Sequence, residues 1–223
     1  MRSSMEKVEF FPNPIPAYLF KQFNRDRLLA RFFYSSRVGK CVKIFDDYYQ
    51  SVKGKITKED WTEYYLSKVD RQRLIEPAHF MADKYRLEMH EAAEYVLFRV
   101  VGQTWNGMMN EVNCINHLQE WFPNIEFRKT SYEVDEEYCT DWEAFSNDKL
   151  LFGIQIKPES YHFMNSPHQR RAKDFDQEKI TKYKEKFGVA HFFVFYSNNK
   201  FIHSQPLFNQ INTYLALSIN VQL

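Results

Sequence analysis

The sequence predicts an α/β fold, with a strand-bearing core in its C-terminal half behind a mainly helical N-terminal region. Three observations predict it. Up to Pro123 the apolar residues recur mostly at helical spacing. Beyond Pro123 short β-type runs take over, rich in aromatic and branched residues. A long charged helix then ends at Gly188 and leads into the strongly apolar "VAHFFVFY". With 44% hydrophobic and 17% aromatic residues in 223, the chain has ample material for a packed core, which excludes a disordered protein.

Taken in order, "FFPNPIPAY" carries three prolines in five positions and reads as an extended arm. From Ala17 to Ser67 the pattern is mostly helical, with a turn at "SVKGK". Within it "ITKEDWTEYYLSK" is a short helix with Thr57 as N-cap and Glu59 and Asp60 in its first turn. A second helical stretch runs from Pro77 to Gln103. Gly102 and Gly107 interrupt it before "NGMMNEVNCINHLQEW", which stops at Pro123. "IEFRKTSYEV", "TDWEAFS" and "LLFGIQIK" then read as three strands, the last two joined by a hairpin turn at "SNDK".

Composition removes several functions. A net charge of +1 gives no whole-chain attraction for a polyanion, so charge placement has to decide. Cys41, Cys114 and Cys139 are odd in number and widely spaced, as in a reducing compartment without structural zinc. No signal peptide is visible, and the best apolar run, "YVLFRVV", is broken by Arg99. A cytoplasmic protein with no membrane partner is expected.

The chemistry concentrates in "LLFGIQIKPESY", residues 150–161, where two long polar side chains share one face of an apolar strand. Gln155 and Lys157 project together, with Gly153 in register. Asp141 and Glu143 share a face of the preceding strand, so a hairpin brings carboxylates towards a lysine, an oxygen-rich set that suits Mg²⁺. On the helix before the sheet, Val112, Ile115, Leu118 and Phe122 form the core-facing arc, and Glu111 falls inside it. A glutamate there needs compensation, from a metal ion or from Lys157.

The order Glu111, Asp141, Gln155-Ile156-Lys157 resembles the PD-(D/E)xK nuclease superfamily, which includes many type II restriction endonucleases. Thr140 stands where that motif has proline, and Gln155 where it has an acid. The order helix, three strands, helix, strand over residues 100–197 is similar to that superfamily's core. The texture around Lys157 also resembles the MjaI-like restriction enzymes, whose recognition sequence is CTAG. The resemblance implies that Asp141 and Glu111 hold Mg²⁺ with help from the Ile156 carbonyl, that Glu143 replaces the missing acidic charge, and that Lys157 orients the attacking water and stabilises the phosphorane. It implies residues 1–100 as a helical region for dimerisation or DNA clamping and residues 101–223 as the nuclease core.

The helix after the motif carries seven basic residues against four acids. "NSPHQRR" lies nearest the site, and Asn165, His168, Gln169, Arg170, Arg171 and Lys173 are of types that read base edges or hold phosphates. Each site residue also has a plain structural reading: an exposed strand carboxylate, a solvated helix face, a half-exposed strand. In combination they point to a Mg²⁺-dependent, sequence-specific endonuclease acting on double-stranded DNA as a homodimer. The rival readings are a structure-specific repair nuclease, an RNA-directed nuclease, and a catalytically inactive DNA-binding protein on the same core. Cys139 has no histidine at a suggestive distance, which argues against a thiol nucleophile.

Overall fold

The computed structural model describes residues 23, 25, 26, 28 and 29, then 41–52, 56–70, 72–198, 200–202 and 204–220. The proline-rich opening and "RFFYSS" lie outside them. The chain divides into two compact units, one up to Trp105 and one from Asn106 on.

The first unit is helical. α1 (Cys41–Ser51) packs against α2 (Lys58–Lys68) through edge-on rings of Phe45 and Trp61, 4.9 Å apart. Thr57 caps α2 by accepting from the Asp60 N–H, with Glu59 and Asp60 in the first turn as the sequence predicts. α3 (Gln72–Tyr85) contains Pro77 instead of starting there. Leu74, Ala78 and Met81 lie at helical spacing and pack in one apolar cluster with Phe23, Tyr95 and Val96, which outweighs the amide that Pro77 lacks. Arg86, at φ 54°, turns the chain, and a capping box between Glu88 and Glu91 starts α4 (Met89–Leu97). Gly102 does not break the helical run. It ends a π-helical turn, Phe98–Gly102, whose Val101 carbonyl accepts from the Trp61 indole. A Cβ at Gly102 would sit 2.9 Å from the Phe98 ring.

α5 (Gln103–Trp121) follows without interruption at Gly107. The second unit then builds a five-stranded mixed sheet in the order β1 (Glu126–Lys129), β2 (Trp142–Ser146), β3 (Lys149–Pro158), β4 (Ala190–Ser197), β5 (Lys200–Phe201). Only β3 and β4 run parallel, and the crossover between them is α7 (Pro167–Phe187), after a 3₁₀ turn at Glu159–Phe163. Gly188 ends α7 at φ 67°. The first predicted strand is cut short at Lys129. Ser131 accepts from the Val134 N–H and nucleates α6 (Tyr132–Tyr138), with Glu133 and Asp135 in its first turn. α8 (Gln205–Asn220), which the sequence reading did not anticipate, closes the described chain.

The β2–β3 hairpin turns through Asn147 and Asp148, at φ 49° and 60°, the left-handed pair a two-residue turn requires. The ladder then shifts by one residue. Phe145 pairs with Leu150 but Ala144 with Phe152, so Leu151 has no partner on β2. Its carbonyl accepts instead from the Tyr214 hydroxyl of α8. Phe152 and Phe192 meet Tyr214 on this face, while Tyr183 of α7 reaches Gly153 and His191 on the other. The sheet is thereby covered on both faces. Among the described residues, no helix is long and apolar enough to cross a membrane.

Candidate active site

The site is built where β2 enters the sheet. Asp141 is held through its backbone on both sides. Its N–H donates to the Ile154 carbonyl at 2.8 Å, and its carbonyl accepts from the Thr130 N–H at 3.1 Å and the Thr130 hydroxyl at 3.0 Å. Two residues earlier Cys139 adopts φ 53° to end α6, a left-handed turn at a non-glycine residue that redirects the chain into β2. With its main chain fixed, Asp141 presents Oδ2 to β3. There it accepts from the Ile156 N–H at 2.6 Å and from Gln155 Nε2 at 2.8 Å. Gln155 is only 4% exposed, and its Oε1 has no hydrogen-bond partner among the described residues.

Burial pushes the Asp141 carboxyl well above the usual carboxylate range. Repulsion from Glu111 and Asp135 adds to that, against the pull of Lys129 and the Ile156 N–H. Asp135 lies close enough to Asp141 to act on its charge. Its own carboxyl is raised by burial despite Lys129, Lys157 and Lys179 nearby. Burial works against the Lys157 ammonium, but the charges around it, Asp176 and Asp141 among them, outweigh it and keep the lysine charged. Burial takes the Cys139 thiol up to about 12, so it stays protonated beside this lysine.

Several sequence expectations need correction or refinement here. Glu111 is compensated by Lys129, 3.0 Å away and 7% exposed, and not by Lys157. Lys157 instead pairs with Asp176 of α7 at 3.2 Å. Glu143 lies opposite Gly153, where its Oε1 accepts from the Tyr183 hydroxyl at 2.8 Å, so it is engaged apart from the Asp141 carboxylate. Gly153 permits that approach, because a Cβ there would come within 2.7 Å of the Tyr183 ring. On α7, Gln169 spends its Oε1 on the Ser166 and Asn165 N–H groups as part of the helix cap, and Lys173 donates to the His162 carbonyl at 3.1 Å. Asn165, His168, Arg170 and Arg171 are exposed.

Lys129, Asp135 and Asp176 are the residues the sequence reading passed over. Asp135 follows the run read as strand, residues 125–134, and the helix that Ser131 starts within that run was not foreseen. Among the described residues, no three His, Cys, Asp or Glu side chains converge closely enough to form a ready metal cage. The donor set nevertheless fits Mg²⁺, which takes hard oxygens and one or two carboxylates while keeping several waters. Asp141 offers a buried, crowded carboxylate that a cation would relieve, and Gln155 an unpartnered amide oxygen.

Against known proteins, the family model described as MjaI restriction endonuclease matches residues 29–204. No curated protein and no solved structure matches the chain.

Proposed function

The chain belongs to the MjaI restriction endonuclease family, and from that premise we propose a type II, Mg²⁺-dependent deoxyribonuclease that hydrolyses phosphodiester bonds at a specific site in double-stranded DNA. One observation carries the site assignment: Asp141, Gln155 and the Ile156 amide are joined by hydrogen bonds, with Lys157 next along the same strand. This is the spacing of a PD-(D/E)xK arrangement with glutamine in the acidic position.

In this reading Asp141 and Glu111 would hold Mg²⁺, with the Ile156 carbonyl assisting, and Asp135, whose charge acts on Asp141, would be a further carboxylate beside Glu143. When bound, the ion lowers the pKa of a coordinated water and polarises the phosphate. Lys157 supplies a fixed positive charge to the pentavalent transition state. Gln155 keeps Asp141 oriented through its amide N–H without adding a second negative charge. Asn165, His168, Arg170 and Arg171 contact DNA, Gln169 acts through its remaining amide N–H, and Lys173 adds positive charge beside them. Two subunits related by a twofold axis each cut one strand of a palindromic site, and the helical region before the core serves dimerisation or clamping.

The test is digestion of long bacteriophage DNA with Mg²⁺ and with chelator. Discrete Mg²⁺-dependent fragments are expected, and end-mapping gives the site. A smear would move the assignment to a structure-specific or repair nuclease. Intact DNA under both Mg²⁺ and Mn²⁺, with DNA binding retained, would leave a binding protein on a silent nuclease core. Lys157→Ala is expected to abolish cleavage while preserving the fold and DNA binding.

A further inference from the structure

A lysine at the end of a strand has a fixed Cα and a free ammonium, because four methylenes separate the two. What the sheet does not fix in Lys157, its surroundings do. Asp176 Oδ2 lies 3.2 Å from Nζ. The same oxygen accepts from the Tyr161 hydroxyl at 3.1 Å. The Tyr161 ring lies 5.5 Å from Nζ at cation–π range, and is itself stacked on Phe193 of β4, 5.9 Å away. Lys173 approaches the same ring at 5.2 Å. α7 and the 3₁₀ turn thus converge on one ammonium, and β4 backs the Tyr161 ring. Lys157 and Asp176 are both about one-fifth exposed, so this ion pair is shielded more than a surface pair.

We propose that Asp176 and Tyr161 are positioning residues for Lys157, holding its ammonium in the orientation that phosphodiester hydrolysis needs. The proposal rests on the assignment of Lys157 above. It adds a link that the motif alone does not contain. Asp176 stands six residues after Arg170 on one continuous helix, roughly 9 Å along its axis. The helix that presents Arg170 and Arg171 for DNA therefore also anchors the lysine. A shift of α7 on meeting DNA would be carried to the Lys157 ammonium through Asp176.

The experiment compares steady-state cleavage by the full chain and its Asp176→Asn, Asp176→Glu, Tyr161→Phe and Lys157→Ala variants, with thermal unfolding and DNA binding measured on each. Asp176→Asn is expected to lower kcat by about 10- to 100-fold, by analogy with the loss seen when a partner that orients a metal ligand is removed, with KM and DNA affinity unchanged. Asp176→Glu restores part of the rate, and Tyr161→Phe, which keeps the ring and loses the hydroxyl, falls between. An Asp176→Asn enzyme that cuts at the wild-type rate, or faster, would overturn the proposal, the faster case meaning that Asp176 withholds the lysine. A parallel loss of folding and activity in Asp176→Asn that Asp176→Glu does not rescue would also overturn it, in favour of a merely structural ion pair. If Lys157→Ala itself cuts normally, the assignment of Lys157 fails and the proposal with it. If Lys157→Ala is dead while Asp176→Asn is fully active, only the proposal fails.

Discussion

The helical unit and the sheet unit bury their aromatic residues alike and their polar residues differently. Among the described residues up to Trp105 the interior holds Phe45, Trp61, Tyr65 and Tyr95, and the buried polar side chains are Asp46 and Thr62. From Asn106 on it holds Phe152, Ile154 and Tyr183, and the buried polar set grows to Asn110, Thr130, Thr140, Asp141, Gln155 and His191. Taking a charge or amide out of water is unfavourable unless something compensates it. A unit built for stability alone would keep such groups at its surface. In the sheet unit Thr130, Thr140, Asp141 and Gln155 instead gather where β2 meets β3, the place of the proposed active site.

The sharpest way to break this contrast is Asp141→Asn. It removes a charge that burial, Glu111 and Asp135 all disfavour, while keeping an acceptor for the Ile156 N–H. Cleavage should fall by about three orders of magnitude or more, whereas the metal-free melting temperature should rise. The raised carboxyl also sets a pH dependence. Its stabilising contribution is complete below the ordinary value of 3.8 and is lost as pH climbs through the higher folded-state value. Mg²⁺ should therefore raise the melting temperature of the wild type at neutral pH and leave that of Asp141→Asn nearly unchanged, as differential scanning fluorimetry would read.

Gln155→Glu sharpens the comparison from the other side. It restores the commoner acid but sets a carboxylate against Asp141 Oδ2 where an amide now donates at 2.8 Å. The metal-free protein should lose about 1–3 kcal/mol, from a donor replaced by an acceptor in a buried pair. Its Mg²⁺ requirement should shift by an order of magnitude or so in a titration of cleavage rate.

His191 offers an effect confined to acid pH, from the same face. Burial first, with Lys184 adding to it, lowers its imidazole to about 4. A histidine so depressed supports the fold above its ordinary 6.5, and that support is lost as pH falls towards 4. The loss is of the order of 3 kcal/mol at most. His191→Phe should flatten the denaturation midpoint between these pH values, followed by urea unfolding. The smallest effect belongs to the helical unit. Thr57→Ala removes the cap of α2 and should cost about 1 kcal/mol with cleavage unchanged.

The same contrast explains how much could be read beforehand. Thr57, the Asn147–Asp148 turn and Gly188 were legible because caps and turns are decided by a residue and its immediate neighbours. The facing of Asp141, Gln155 and Lys157 followed from strand alternation. The partners of these residues did not follow, because they come from elsewhere in the chain: Lys129 for Glu111, Asp176 for Lys157, Tyr183 for Glu143. Asp135 was lost to a local error, since Ser131 starts a helix in a run that otherwise alternates like a strand.

Leu151 carries a consequence for how this hairpin can change in length. Two turn residues and one unpaired residue together bring Glu143 opposite Gly153, and so Asp141 to Gln155. Deleting Leu151 would straighten the ladder and leave Tyr214 without its acceptor, yet keep those two opposite each other. Deleting one residue between Phe152 and Ile154 would instead bring Ile156 opposite Asp141 and turn the amide to the far face. Gaps in this hairpin are therefore not interchangeable. An otherwise ordinary descendant of this chain that had lost one residue there would have lost the proposed site by miscounting, with every one of its residues still spelled out in the sequence.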